Sequence, residues 1–155
     1  MTNLPLQLHK LLIKENKTIA IAESCTGGLL SSLLTRLPGS SKYFILGIVT
    51  YSNTAKEKFL KIPKSILLKN GAVSEKVAKL MAKNVRQAAK TDFGIGITGI
   101  AGPTGGSTQK PVGTVFIALT KDKKVICKKL VFKGNRNTVR KQAALKSLAL
   151  LKDLI

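Results

Sequence analysis

The chain has 155 residues, of which 44% are hydrophobic, so it is large and apolar enough to bury a sizeable core as one domain. No apolar run reaches the roughly 18 residues of a membrane-spanning helix, and the first residues lack the basic and apolar regions of a signal peptide. Two cysteines, Cys25 and Cys127, are too few for a disulfide framework. These features predict a single domain over residues 1–155 with a cytoplasmic location and no membrane partner.

The formal net charge of +20 raises the question of nucleic-acid binding. Four of the 27 basic residues are arginines, and the lysines are scattered along the chain without a block of five. Bidentate contacts with bases and phosphates favour arginine, so solvated surface lysines are the better interpretation of the charge. No specific nucleic-acid partner is expected, although loose RNA binding at low salt needs only charge and stays open.

Helices and strands alternate along the chain. The first predicted elements are a helix marked by Leu4, Leu8, Leu11 and Leu12, a strand over 18–23, a leucine-rich helix that reaches Leu37, and a strand from Phe44 to Tyr51. Next come a short helix from Asn53 to Leu60, a helix opened by Pro63, a helix capped by Ser74, strands at 93–98, 114–120 and 125–132, and a helix from about Asn137. This order predicts an α/β fold, a three-layer α/β/α sandwich with a mixed, mostly parallel sheet.

Two segments place polar or glycine-rich sequence directly after buried strands. One is AESCTGG at residues 22–28, and the other is residues 96–114, which hold six glycines and two prolines. Ligands of open α/β sheets bind at the carboxyl ends of strands, and glycines let backbone N–H groups approach an anion closely. The pattern favours an anion-binding site, while a glycine-rich connection without a ligand stays open as the alternative.

The side chains available for catalysis are few. The one histidine, His9, falls on the flank of the first helix, so a Ser-His-Asp triad lacks its base. No cluster of metal ligands is visible, so neither a metal nor a cofactor is expected. A hydrolase would need a cysteine nucleophile or a hydroxyl activated by lysine. Lys56, in the first turns of a helix, is a candidate base because a helix start disfavours the cation; a solvated lysine is the alternative.

Six motifs together resemble the CinA C-terminal domain family. They are AESCTGG, VTYSNTAK, GAVSE, ITGIAGPTGG, KPVGTV and FKGNR, in the order and at about the spacing of that family, from about residue 5 to 153. Members of the family are nicotinamide-nucleotide amidohydrolases, also called nicotinamide mononucleotide deamidases. The chain looks like the stand-alone form, without the molybdopterin-binding-like domain of longer members. The resemblance implies hydrolysis of the carboxamide of nicotinamide mononucleotide to nicotinic acid mononucleotide and ammonia, in recycling toward NAD, by a homo-oligomer, expected to be a dimer.

The resemblance also implies roles for particular residues. Ser24 is expected to be the nucleophile and Lys56 its base, with Tyr51 assisting the proton network. The positions expected to bind or surround the substrate are Glu23, Thr26, Gly27, Gly28, Ser41, Thr98, Gly99, Gly102, Gly105, Gly106 and Arg136. A catalytically degenerate module that kept the nucleotide pocket is the alternative function. A thiol enzyme using Cys25 is the chemical alternative, but we expect this cysteine to pack inward.

Three of these expectations are specific enough to compare with a structure. Residues 26–28 are expected to start the next helix, so that its free N–H groups stabilise an oxyanion. Glu23 is expected either to orient Lys56 or Tyr51 or to accept hydrogen bonds from backbone N–H groups. Asn135 stands where the family commonly has aspartate, and this loss of charge is expected to loosen the orientation of Arg136, which with the glycine-rich loop would bind the ribose phosphate.

Overall fold

The computed structural model describes residues 3–155, which form six α-helices and a five-stranded sheet. The helices are α1 (Leu4–Lys14), α2 (Leu29–Leu34), α3 (Asn53–Leu60), α4 (Lys64–Asn70), α5 (Glu75–Ala89) and α6 (Arg136–Leu154). The strands are β1 (Ile19–Glu23), β2 (Phe44–Val49), β3 (Phe93–Gly99), β4 (Thr114–Lys121) and β5 (Lys124–Val131), and a short 3-10 turn, Ser40–Lys42, precedes β2. No helix within the described residues has the length and apolar composition that a membrane crossing needs.

The strand order across the sheet is β2-β1-β3-β4-β5. Strand β1 pairs in parallel with both β2 and β3, whereas β4 is antiparallel to β3 and to β5. Strand β4 therefore runs against the other four, which confirms the predicted mixed, mostly parallel sheet. The carboxyl ends of β1, β2 and β3 lie side by side at one edge, where a ligand site is expected.

Helices cover both faces of the sheet, as alternate residues of β1 show. Ile19 and Ile21 are buried in a core with residues of α1, α2 and α6, whereas Ala20 and Ala22 are buried on the opposite face with residues of α3, α4 and α5. Successive side chains of a strand point to opposite faces, so a strand that is apolar throughout needs a helical layer on each side. The predicted three-layer α/β/α sandwich is confirmed.

Small residues in β3 bring α5 close to the sheet. A side chain at Gly94 or Gly96 would collide with the backbone carbonyls of Ala82 and Ala78 in α5. The close approach places the turn before α5 next to the end of β3, where the Thr98 hydroxyl donates a 2.8 Å hydrogen bond to the carbonyl of Ala72. This turn becomes one wall of the cavity described below.

Helix α2 is shorter than the leucine pattern predicts, and residues 26–28 precede it instead of starting it. Gly28 has a positive φ of 97°, so the regular helix begins at Leu29. At the other end, both the N–H and the hydroxyl of Thr35 bond to the Ser31 carbonyl, and the helix ends at Leu34 instead of Leu37. The polar segment after β1 is therefore a turn with two positive-φ glycines, Gly27 and Gly28.

Candidate active site

A cavity of about 260 Å³ opens at the edge where β1, β2 and β3 end. Ser24 follows β1, Tyr51 follows β2, and Thr98 and Gly99 close β3. The predicted site residues that line the cavity are Ser24, Tyr51, Lys56, Thr98, Gly99, Gly102, Gly105 and Arg136. The loop between β3 and β4 (residues 100–113, the glycine-rich loop) forms one wall, and Ala72 and Val73 form another.

Ser24 and Lys56 are in direct contact at the base of this cavity. The Lys56 Nζ lies 3.1 Å from the Ser24 Oγ, 2.8 Å from the carbonyl oxygen of Thr50 and 3.1 Å from that of Tyr51. Lys56 is 1% exposed and Ser24 is 8% exposed. A lysine that is buried against a serine, with no carboxylate in ion-pair range among the described residues, is not the solvated lysine of the alternative interpretation.

Helix α3 places Lys56 by its own geometry. Ser52 caps the helix, with its hydroxyl accepting a 3.0 Å hydrogen bond from the Ala55 N–H. Side chains of an α-helix point toward its amino terminus, so the long Lys56 side chain runs back over the first turn to the two carbonyls that precede the helix. The Lys56 amine, carried by the helix that follows β2, thereby reaches Ser24, which follows β1.

Burial lowers the pKa of Lys56 from 10.5 to about 8, because the charged form loses its hydration. A neutral amine has two hydrogens and one lone pair, and the three neighbours of Nζ match that set. The ammonium donates to all three; once Lys56 is neutral, its two hydrogens can be donated to the carbonyls of Thr50 and Tyr51, which leaves the lone pair to accept from the Ser24 hydroxyl. This is the arrangement that a lysine base requires.

Glu23 faces helix α2, and neither Lys56 nor Tyr51 is among its hydrogen-bond partners. Its carboxylate is fully buried and accepts hydrogen bonds from the N–H groups of Gly28, Leu30 and Ser31, at 3.1, 3.2 and 2.8 Å, and from the Ser31 hydroxyl at 2.7 Å. The second of its two expected roles thus matches the geometry, and its expected place among substrate-binding residues does not. The negative charge lies at the positive end of the helix dipole, which favours it.

The start of α2 cannot supply the oxyanion donors that the sequence suggested. Glu23 occupies three of its N–H groups, the Gly27 N–H bonds to the Ser24 carbonyl, and the Leu29 N–H bonds to that of Thr26. Within residues 3–155, the N–H groups of Cys25 and Thr26 have no hydrogen-bond acceptor on another residue. The free donors closest in sequence to Ser24 are therefore one or two residues after it, in the turn itself.

The phenol of Tyr51 is directed to Arg136. Tyr51 is 57% exposed, and the Arg136 Nη2 donates to its hydroxyl at 2.8 Å, while the Arg136 Nη1 donates to the Gly102 carbonyl at 2.8 Å. No hydrogen bond joins the hydroxyl to Ser24 or Lys56 in the described chain. The structure therefore does not place the Tyr51 hydroxyl in their proton network, contrary to the expectation. The backbone carbonyl of Tyr51 is what contacts Lys56.

Asn135 does not orient Arg136. Its side-chain oxygen accepts 3.0 Å hydrogen bonds from the N–H and the hydroxyl of Thr138, and Asn135 thereby caps the start of helix α6. Asparagine and aspartate are about equally good at this position, so the departure from the family pattern preserves the cap. The orientation of Arg136 depends instead on Tyr51 and Gly102.

Cys25 packs inward, as expected. It is 5% exposed and belongs to the apolar core that includes Ile21 and Leu30, with one edge on the cavity. Burial raises the pKa of its thiol to about 12. Because the thiolate is the nucleophilic form, a thiol that stays protonated at neutral pH is a poor candidate for the nucleophile.

Besides Glu23, three groups of predicted site residues lie outside the cavity. Ser41 is in the turn before β2, and that strand's six residues separate it by about 20 Å from the edge with Ser24. Thr26, Gly27 and Gly28 shape the turn behind the nucleophile position and do not line the cavity. Gly106 faces Val112 within the loop, where a side chain would meet the Val112 backbone nitrogen at 2.7 Å.

Two basic residues that the sequence analysis did not single out hold segments next to the site. Arg140, one turn after Arg136 in α6, donates a 3.0 Å hydrogen bond to the Thr26 carbonyl. Lys110 donates from Nζ to the carbonyls of Asn70 and Val73. The helical spacing from Arg136 could have pointed to Arg140, and the KPVGTV motif contains Lys110.

Fold and site together define a class of protein: a three-layer α/β domain with a buried serine–lysine pair beside a glycine-rich loop and an arginine. Among residues 3–155 there is no group of three histidine, cysteine or carboxylate side chains that could hold a metal ion. The chain belongs to the CinA C-terminal domain family, whose model matches residues 1–155.

Related proteins carry the same domain within longer chains. This chain is 54% identical over 136 residues to a protein of Caldanaerobacter subterraneus named as competence-damage inducible, which covers 88% of this chain and 33% of the relative. It is 50% identical over 143 residues to a CinA-like protein of Syntrophus aciditrophicus, and the match covers 92% of this chain and 34% of that relative. The chain thus spans about a third of the length of these curated relatives.

Solved structures of the family have the same fold. A CinA superfamily protein of Escherichia coli superposes with a TM-score of 0.94 at 37% identity, covering 99% of this chain and 89% of that one. The competence damage-inducible protein A of Klebsiella pneumoniae gives a TM-score of 0.93 at 32% identity, with 97% and 93% covered.

Proposed function

We propose that the chain hydrolyses the carboxamide of nicotinamide mononucleotide to nicotinic acid mononucleotide and ammonia, with Ser24 as nucleophile and Lys56 as its base. The observation that carries the proposal is the 3.1 Å contact between the Lys56 Nζ and the Ser24 Oγ inside a cavity. The substrate follows from the motifs that the chain shares with the amidohydrolases of this family. The pyridine nucleotide would enter the cavity with its amide toward Ser24.

The first half of the reaction forms an acyl-enzyme. The Ser24 hydroxyl gives its proton to the lone pair of Lys56 as Oγ bonds to the amide carbon. The resulting ammonium of Lys56 returns that proton to the amide nitrogen as the C–N bond breaks, and ammonia leaves. Lys56 is then neutral again, and the nicotinoyl group is esterified to Ser24.

The second half uses water. Lys56 takes a proton from a water molecule whose oxygen attacks the ester carbon, and the proton passes to the Ser24 Oγ as the C–O bond breaks. The products are the free serine and nicotinic acid mononucleotide, whose carboxylic acid group then releases the second proton of the water to solvent and becomes a carboxylate. For the negative oxygen in both tetrahedral intermediates we propose the N–H group of Cys25, because this residue lines the cavity and its N–H has no acceptor on another residue of the described chain.

The phosphate of the nucleotide has a matching set of donors. In the first part of the loop, residues 101–106, each of the five N–H groups is without an acceptor among the described residues; they belong to Ala101, Gly102, Thr104, Gly105 and Gly106. Arg136 uses two of its guanidinium N–H groups for Gly102 and Tyr51 and has others left for an anion. Free backbone donors next to an oriented arginine favour a phosphate ligand.

The test is release of ammonia from nicotinamide mononucleotide by the purified protein without added metal or ATP. We expect turnover that persists in EDTA and is lost in Ser24→Ala. Loss of turnover in EDTA would contradict the mechanism. Binding of the nucleotide with no hydrolysis would identify the chain as a degenerate module that kept its pocket.

The high positive charge favours a second candidate, a nucleic-acid-binding protein. Phosphate attraction alone predicts binding that weakens steeply as salt rises. A sequence-selective complex that survives physiological salt would favour this candidate over the amidohydrolase.

A further inference from the structure

The glycine-rich loop is joined to the opposite wall of the cavity through Lys110. Its Nζ donates hydrogen bonds to the carbonyl of Val73, in the connection between α4 and α5, and, at 3.3 Å, to that of Asn70, the last residue of α4. The side chain is half-buried and has no carboxylate in ion-pair range among the described residues. Two neutral carbonyls on a separate segment are therefore what hold this cation.

The backbone of Lys110 is itself held in a tight turn. The Ser107 N–H donates to the Lys110 carbonyl at 2.8 Å, and the Lys110 N–H donates to the Ser107 hydroxyl at 3.0 Å. The loop is also closed at its base, where Ile100 and Thr114 share a 2.8 Å backbone hydrogen bond. Between base and turn lie residues 101–106, a segment in which every N–H group lacks an acceptor among the described residues. Hydrogen bonds therefore fix the chain on both sides of that segment, at the base of the loop and at the turn of Ser107 and Lys110.

Both segments that Lys110 connects are walls of the cavity. Ala72 and Val73 line it on one side, and Gly102 and Gly105 line it on the other. The position of the free N–H groups relative to the opposite wall therefore depends on the Lys110 contacts. Lys110 itself does not line the cavity, so it can act only through the position of the loop.

We propose that Lys110 is a positioning residue that sets the width of the nucleotide pocket and holds the loop N–H groups in place for the phosphate. The identity of the ligand rests on the proposed function; the link between the two walls does not. Because Lys110 contacts neither Ser24 nor Lys56, its loss affects nucleotide binding and leaves the protonation of the base unchanged.

The binding experiment compares Ser24→Ala with Ser24→Ala/Lys110→Met, each titrated with nicotinamide mononucleotide. We expect the Kd to rise about tenfold or more when two hydrogen bonds of a charged donor are removed. In the active protein, Lys110→Met should raise KM while the pH midpoint of kcat stays unchanged. Lys141→Met, at an exposed lysine of α6, is the matched control and should change neither quantity.

Hydrogen exchange supplies a readout that needs no nucleotide. In Lys110→Met, the amides of residues 70–74 and 100–113 should exchange faster than in the wild type, while those of β1 and β3 stay unchanged. If Lys110→Met does not fold, Lys110→Gln, which keeps one donor, serves in the same measurements with a smaller expected effect. Lys110→Arg should restore slow exchange.

Unchanged exchange together with an unchanged Kd would overturn the role of Lys110. So would a loss of kcat at an unchanged Kd, which indicates a different role. If the wild type binds no nicotinamide mononucleotide, the proposed function fails, whereas the exchange experiment still decides whether Lys110 joins the two walls.

Discussion

Lys56 is the residue on which the site depends, because it is a basic group kept in an environment that disfavours its charge. Its pKa of about 8 lies about 2.5 units below the ordinary value of 10.5, equivalent to about 3 kcal/mol against the charged form. The carbonyls of Thr50 and Tyr51 hydrogen-bond to either form of the amine and fix its direction. The residue is thus poised to gain and lose a proton near neutral pH, as a general base must.

The first prediction concerns activity against pH. Activity should rise with pH as Lys56 deprotonates, with a midpoint near its pKa of about 8. Lys56→Arg should be almost inactive, because a guanidinium does not give up its proton, and Lys56→Ala should lose the rate while it still binds nucleotide. The measurement is ammonia release between pH 6 and about 10. Near-normal turnover in Lys56→Arg would remove Lys56 from the mechanism.

The second prediction separates two adjacent residues. Ser24→Ala should lower kcat by about a thousandfold or more, as expected for a covalent nucleophile, whereas Cys25→Ala should retain most activity. The thiol is buried and its pKa is about 12, so its loss should affect the core more than the chemistry. Ammonia release and thermal unfolding of both variants provide the measurements. The opposite pattern of activities would identify Cys25 as the nucleophile.

At the scale of elements, helix α6 joins the core to the site. Its buried residues, among them Val139 and Leu148, fix the helix against the sheet, and its first residue is Arg136. Arg140, one turn later, bonds to the turn that follows Ser24. The cap at Asn135 thus stabilises the end of a helix that contacts both the glycine-rich loop and the turn after Ser24.

The third prediction tests this cap. Asn135→Ala should lower the free energy of unfolding by about 1 kcal/mol, because it removes the acceptor of the Thr138 N–H. Asn135→Asp keeps the acceptor and adds a charge that the helix dipole favours, so stability and nucleotide affinity should stay at or slightly above those of the wild type. Urea unfolding and nucleotide titration measure both. A marked gain in affinity with aspartate would show that the charge at this position does orient Arg136.

At the scale of the whole molecule, the buried lysine links stability to pH. The unfolded chain holds a proton on Lys56 up to about pH 10.5, whereas the folded chain releases it near pH 8. The unfolded state therefore binds more protons between these values, and stability due to this residue rises with pH across that window. Other lysines titrate as well, so the effect has to be measured as a difference between variants.

The fourth prediction follows from this linkage. Between pH 7 and about 10, the wild type should gain about 2–3 kcal/mol of unfolding free energy relative to Lys56→Met, which has no group to titrate there. Chemical denaturation of both proteins at several pH values measures the difference. A constant difference across this range would mean that the folded state does not depress the pKa of Lys56.

The sequence by itself determined the three layers of the molecule and the strand ends at which the site lies. The alternation of helical and strand periods predicts the sandwich, and the polar and glycine-rich segments that follow β1 and β3 predict a ligand site at the carboxyl ends of these strands. The pairing of Ser24 with Lys56 was implied by the resemblance to the CinA C-terminal domain family. These features are local, because a strand that is apolar on both faces or a helix cap is encoded within a few residues.

Only the tertiary structure decided which polar groups face one another. Glu23 faces α2, and the Tyr51 hydroxyl bonds to Arg136, 85 residues away. Ser41 lies at the amino end of β2, whereas the site lies at the carboxyl ends of the strands. The partner of each polar side chain depends on how the glycine turn after β1 is shaped and where distant loops end, and neither is encoded in the spacing of one motif. The physical reason is that a hydrogen bond requires atoms within about 3 Å, whereas a sequence motif specifies only the strand or helix that carries them.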